Sequence, residues 1–248
     1  MAVVSVTLLK GATARLGGRS VLDGVDLDLR PGDLVALCGP NGAGKTSVLR
    51  AALGLMRLDA GAAPLTALPD RIRAERAAYL PQDRRIAWNL PAVEVAALGA
   101  PFLTGEAALE RARAMLEAVG VGALADRGVV EMSGGERARV LLARALVSPA
   151  PMLLADEPAA GLDPDARLLV MERLRQRADG DQAVLVSLHD LGLAARFADR
   201  VVVMHQGRIA VEGAPLQALR SQTLKDVFGL TGRWIDGPDG PLLSTRRA

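Results

Sequence analysis

One octapeptide constrains this chain more than any other stretch: Gly39-Pro40-Asn41-Gly42-Ala43-Gly44-Lys45-Thr46, directly behind the mostly apolar run at residues 33–38. It matches the pattern G-x-x-x-x-G-K-[ST]. Glycines let such a loop curl until its N–H groups face inward on phosphate oxygens, and the next helix adds its positive N-terminal end. The pattern predicts a buried strand, a phosphate-cradling loop and a helix over residues 45–54. Lys45 is placed to reach the outer phosphates and Thr46 to offer its hydroxyl to Mg²⁺. The lysine itself is informative, because Lys10, Lys45 and Lys225 are the only lysines in an arginine-rich chain. A compact ammonium on a flexible stem and a planar guanidinium are not interchangeable in such a loop. A glycine-rich turn of chance composition is the competing reading, and the strand–loop–helix context argues against it.

A second apolar strand ends in acid, in Met152-Leu153-Leu154-Ala155-Asp156-Glu157-Pro158. Ligands bind at the carboxyl ends of strands in open α/β sheets. Adjacent carboxylates repel each other, and a nearby Mg²⁺ relieves that. The expectation is that Asp156 holds the metal, directly or through water, and that Glu157 polarises an attacking water. The bland alternative is a helix-capping acid pair in a loop.

Met132-Ser133-Gly134-Gly135-Glu136 opens another helix in a manner suited to an anion. Ser133 and Glu136 have the spacing of a capping box. Asp163-Pro164 reads as an N-cap followed by a first-turn proline. His189 follows the strand pattern Ala183-Val184-Leu185-Val186-Ser187-Leu188, where a histidine is usually a polar terminator. His205 sits in a turn and has no assigned role.

The rest of the pattern reads as an α/β chain. Residues 2–9 and 25–30 alternate like antiparallel strands, residues 59–70 look like loop, and residues 77–80 form a short strand ending at Pro81. Residues 83–131 change character and predict a helical insertion, with Leu109, Ala112, Leu116 and Val119 on one face and Gly120 as the stop. Alternating helices and strands follow from 136 to 204, which argues for a parallel sheet. The tail offers one turn signal, Pro238-Asp239-Gly240. No internal repeat or low-complexity tract is visible.

With 248 residues the chain is long enough for one large domain with a substantial core. No apolar run approaches a membrane span, and the start lacks a basic stretch followed by a small-residue cleavage site. The single cysteine, Cys38, rules out an internal disulfide and suits a reducing compartment. The expected location is therefore the cytoplasm. A net charge of +2 without a concentrated basic block does not suggest nucleic acid as a partner.

The order GPNGAGKT, Gln82 in YLPQ, SGGE, LLADEP, GLD and SLHD resembles the nucleotide-binding subunit of ABC transporters, over roughly residues 3–215. The resemblance implies a P-loop NTPase, ABC-ATPase core with an N-terminal antiparallel β subdomain and an inserted helical subdomain at about residues 83–145. Residues 216–248 are left as a C-terminal extension of a single ABC ATPase domain spanning 1–248. It implies two subunits packed head to tail, with ATP and Mg²⁺ between the glycine-rich loop of one and Ser133, Gly134, Gly135 and Glu136 of the other. Gln82 then resembles the residue that contacts metal and water and reports to the membrane partner, Asp163 the loop that communicates across the dimer, and His189 the switch histidine near the γ-phosphate.

Some positions depart from the usual pattern. Met132 stands where Leu is common, and Thr46-Ser47 reverses the commoner Ser-Thr order while keeping both hydroxyls. Leu16 replaces an aromatic that stacks on adenine in many relatives. Residues 59–75 look shortened, so that a strand of the β subdomain is expected to be trimmed. Ala159 stands where Thr is common.

The stretch YLPQDRRIAWNLPAVEVAALGAP is similar to importers of iron–siderophore, haem and cobalamin. That likeness implies transmembrane permease subunits as partners, a periplasmic or lipoprotein solute-binding protein indirectly, and peripheral attachment to the inner face of the membrane. Trp88 can simply pack under the helical insertion, which is compatible with its standing in the groove that takes the permease's coupling helix. An exporter subunit and a soluble ABC ATPase acting on DNA or ribosomes remain open alternatives. A GTPase or small-molecule kinase sharing only the phosphate loop would leave SGGE and SLHD unexplained.

Overall fold

The computed structural model describes residues 5–86, 88–237 and 240–247. It opens with an antiparallel hairpin, β1 (Val6–Leu16) and β2 (Arg19–Leu29). Both strands outrun the stretches that alternate in sequence, and residues 2–4 of the first expected strand lie outside the described part. Register shifts at Leu9, Ala12 and Ala14 break the period-two pattern, which is why the far half of β1 does not read as strand.

Next come β3 (Leu34–Cys38), α1 (Lys45–Ala52) and β4 (Ala60–Ala62). β4 pairs with β1, so the strand expected to be trimmed from the β subdomain is present, reduced to three residues. α2 (Asp70–Arg76) starts at the end of the stretch read as loop. It buries none of its residues, so no apolar stripe announces it.

β5 (Ala77–Leu80) leads into α3 (Ala92–Ala97), α4 (Glu106–Ala118) and α5 (Gly134–Val147), which pack on one another as the inserted helical unit. Ala112, Leu116 and Val119 are buried as expected, but Leu109 is exposed and Ala108 takes its place on the inner face.

The chain then alternates: β6 (Met152–Asp156), α6 (Pro164–Asp179), β7 (Ala183–Ser187), α7 (Leu191–Phe197), β8 (Arg200–His205) and β9 (Arg208–Gly213). The C-terminal stretch forms α8 (Pro215–Ala218), α9 (Ser221–Phe228) and a second hairpin, β10 (Leu230–Gly237) with β11 (Gly240–Arg247), packed on α7 and α9. The turn expected at Pro238-Asp239 falls outside the described residues.

The central sheet has the order β5-β6-β7-β3-β8-β9, parallel except for β9. β3, β6 and β7 are buried along their whole length. Their side chains alternate between two cores. Leu34, Ala36, Leu153, Ala155, Val184 and Val186 face the helices of the insertion and α6, while Val35, Leu37, Met152, Leu154 and Leu185 face α1 and the N-terminal hairpin. Apolar layers on both faces explain why these strands read as continuous apolar runs rather than alternating ones.

Candidate active site

Four adjacent parallel strands bring the predicted residues to one edge. β3 ends at the glycine-rich loop, β7 at Ser187 and His189, β6 at Asp156 and Glu157, and β5 just before Gln82. The ladder places Ser187 beside both Leu37 and Asp156. Motifs scattered over 150 positions are neighbours because the strand order interleaves them.

Within the loop, glycine is required at two positions for reasons of space. A Cβ on Gly39 (φ +151°) would stand 2.4 Å from the Met204 carbonyl oxygen, and one on Gly44 (φ +107°) 2.5 Å from that of Val21. Pro40, Asn41, Gly42 and Ala43 complete the turn, closed by the Ala43 N–H donating to the Pro40 carbonyl at 3.2 Å. Lys45 is buried, and its Nζ donates to the carbonyls of Gly39 at 2.8 Å and Pro40 at 3.2 Å. Burial lowers its pKa, while Glu157, Cys38 and Asp156 pull it back up. The residues Val21, 41–47 and Glu157 line one cleft.

Asp156 is almost fully buried. Its Oδ1 accepts from Ser187 Oγ at 2.6 Å and from Thr46 Oγ1 at 3.3 Å, whereas its Oδ2 is buried with no hydrogen-bond partner among the described residues. A carboxylate oxygen left unpaired in the interior is costly unless something else takes it up. Glu157, one residue on, turns into the cleft through a left-handed backbone conformation (φ +49°), with its N–H donated to Ser187 Oγ at 2.8 Å. Gln82 Nε2 donates to Glu157 Oε2 at 2.8 Å, and His189 Nε2 contacts Glu157 Oε1. Glu157, Ser187 and His189 also line a second cleft, with Ala159, Arg167 and Asp190.

The remaining predicted residues stand apart. Ser133 and Glu136 form the capping box of α5: Ser133 Oγ accepts from the Glu136 N–H at 3.2 Å, and Glu136 Oε2 accepts from the Ser133 N–H at 2.7 Å. Those bonds hold the Glu136 carboxyl below its ordinary pKa. Gly134 and Gly135 face open space, and their N–H groups have no partner among the described residues. Ser133, Gly134, Gly135 and Glu136 line neither cleft. Asp163 caps α6, accepting from the Ala166 N–H at 2.9 Å. Leu16 is exposed at the end of β1. Trp88 is 71% exposed, which argues against the bland alternative that it simply packs under the helical insertion.

Two participants were not singled out from sequence. Ser187 joins Asp156 to the Glu157 backbone; it heads the SLHD motif on a buried strand, but only His189 of that motif was given a role. Arg84 donates to the carbonyls of Pro158 and Ala160, and nothing in the pattern around it sets it apart from the chain's other arginines.

A parallel sheet carrying a glycine-rich loop, a buried lysine and an acidic pair on neighbouring strands defines a nucleotide-hydrolysing phosphate-loop protein. The profile of the ABC transporter family matches residues 22–160, more than half of the sequence. The chain is 42% identical over 229 residues to the hemin import ATP-binding protein HmuV of Streptomyces coelicolor, covering 88% of this chain and 81% of that one. It is 40% identical over 231 residues to the cobalamin import ATP-binding protein BtuD of Halobacterium salinarum, covering 88% of this chain and 57% of the longer relative. Its fold is similar to that of a solved "putative metal-chelate type ABC transporter" in an inward-facing conformation, with a TM-score of 0.81, 20% identity and coverage of 97% and 96% of the two chains. The chain belongs to the ABC transporter family. It is a nucleotide-binding ATPase.

Proposed function

We propose that this chain is the ATP-hydrolysing subunit of a membrane importer for a metal chelate of the haem, iron–siderophore or cobalamin class. The observation that carries the chemistry is the convergence of Gln82, Asp156, Glu157, Ser187 and His189 beside the Lys45 loop. The cargo class rests on the names of the hemin and cobalamin import relatives.

In this reading residues 39–47 hold the phosphates through backbone N–H groups and Lys45. Thr46 and Asp156, with Gln82, are the groups that would hold Mg²⁺. The orphan Oδ2 of Asp156 beside the Thr46 hydroxyl fits a hard cation that takes one carboxylate and shares the rest of its shell with phosphates and water. When bound, such an ion neutralises charge on the phosphates. Glu157 orients the attacking water and accepts its proton as the water oxygen bonds to the γ-phosphorus and the bond to the bridging oxygen breaks. Gln82 and His189 fix one carboxylate oxygen each. A carboxylate has about four acceptor positions, so a water can still be held.

Ser133, Gly134, Gly135 and Glu136 are proposed to complete the site of a second copy. The support is that the N–H groups of Gly134 and Gly135 at the start of α5 have no partner among the described residues and lie outside this chain's own clefts. A groove lined by Ala74, Tyr79, Leu98, Pro101, Arg144 and Ser148 is proposed to take the permease, with Leu98 exposed as an apolar anchor and Trp88, exposed outside that lining, as a second. No helix among the described residues is long and apolar enough to cross a membrane, so attachment would come through the permease. A solute-binding protein would act on the far side of it.

The test is to tag the Glu157→Gln variant, solubilise membranes of the source organism in mild detergent and identify what co-purifies. A polytopic permease together with a solute-binding protein is the expected result. Recovery with ribosomal or DNA-repair proteins in the soluble fraction, or with a permease that only exports, would contradict it.

A further inference from the structure

We propose that Arg84 is a positioning residue of the ATPase site, one that fastens the segment carrying Gln82 to the backbone that follows Glu157. The inference rests on the roles proposed above for Gln82 and Glu157. Arg84 Nη2 donates to the Pro158 carbonyl at 3.1 Å and to the Ala160 carbonyl at 2.6 Å. Its side chain is half-buried, and burial draws its pKa down with no carboxylate to offset that. Unlike most arginines of this chain that make hydrogen bonds, it has no acidic partner among the described residues and gives its charge to one loop. A charged donor on carbonyls makes stronger bonds than a neutral one.

The loop it grips needs holding. Glu157 carries a left-handed φ of +49°, its carbonyl accepts from the Ala160 N–H at 3.1 Å, and Gly161 turns the chain again at φ +67°. Strained non-glycine backbone of this kind persists only where its surroundings over-determine it. Arg167 Nε secures the next carbonyl but one, that of Leu162, at 2.7 Å from within α6. The loop between Glu157 and Asp163 is thus gripped from two sides. The grip from the Gln82 side is doubled, because Gln82 itself holds Glu157 at 2.8 Å. A shift of residues 82–84 therefore displaces both the Glu157 carboxylate and the backbone leading to Asp163.

The test is steady-state ATPase kinetics of the full chain carrying Arg84→Met or Arg84→Lys, with thermal unfolding measured on the same samples and Glu157→Gln in parallel. Loss of the clamp is expected to lower kcat by about tenfold while KM for ATP changes by less than about twofold, the mark of an interaction felt at the transition state. The melting temperature should stay near that of the parent, and Arg84→Lys should restore part of the rate, since an ammonium keeps a charged donor for the carbonyls on a different, more flexible stem. Parent-like kcat in Arg84→Met, with Glu157→Gln inert, would overturn the clamp alone. So would a rate loss that tracks a fall in melting temperature and is not relieved by lysine. Full turnover in Glu157→Gln would remove the site assignment, and the clamp's role with it.

Discussion

Cys38 ends the strand that feeds the phosphate loop. Burial pushes its thiol up to about 12 from an ordinary 9.0, with Asp190 adding to the rise and Lys45 opposing it. In the unfolded chain the thiol ionises at the lower value, so above pH 9.0 the unfolded state sheds a proton that the folded state keeps until about 12. The contribution of Cys38 to stability is thus intact below pH 9.0 and declines as pH rises toward 12. At pH 8 the native thiolate fraction is on the order of 1 in 10⁴, so iodoacetamide should label native protein far more slowly than protein in guanidinium. Equal labelling rates would show that the strand end is open. At this scale the residues proposed to bond to a ligand were legible in sequence, because phosphate, metal and water demand particular side chains at set spacings. The residues that hold those side chains were not. Ser187 and Arg84 act by bonding to Asp156, to the Glu157 N–H and to carbonyls, and any backbone carbonyl accepts from any arginine.

Elements show the same division. β3, β6, β7 and α6 were readable, since apolar runs and caps such as Asp163-Pro164 declare themselves. α2 and β10–β11 were not. The first buries no residue, and the strands of the second are mostly exposed or half-exposed, so neither carries a full apolar face. The start of α5 illustrates a cap with two uses. Ser133 stabilises the helix by accepting from Glu136 while the N–H groups of Gly134 and Gly135 have no partner among the described residues. Ser133→Ala should reduce urea-unfolding stability of the nucleotide-free chain by about 1 kcal/mol, the usual effect of removing a serine cap. Unchanged stability would mean that the cap contributes only to ligand binding.

For the whole molecule, the strand order β5-β6-β7-β3 is the decisive fact, because it turns a sequence of separated motifs into one edge. That order does not follow from periodicity. The helical insertion, whose core is continuous with that of the sheet, was by contrast readable from the change of character at residues 83–131. The molecule thus presents a loop with its own acids at one place and a bare helix start at another, and the account joins them across two copies. Light scattering of the Glu157→Gln variant with and without Mg–ATP tests this most directly. The account predicts monomers without nucleotide, dimers with it, and no dimer once Ser133→Arg is added although ATP still binds. A dimer that forms regardless of Ser133→Arg, or a monomer that loses ATP affinity when Ser133 is changed, would contradict it.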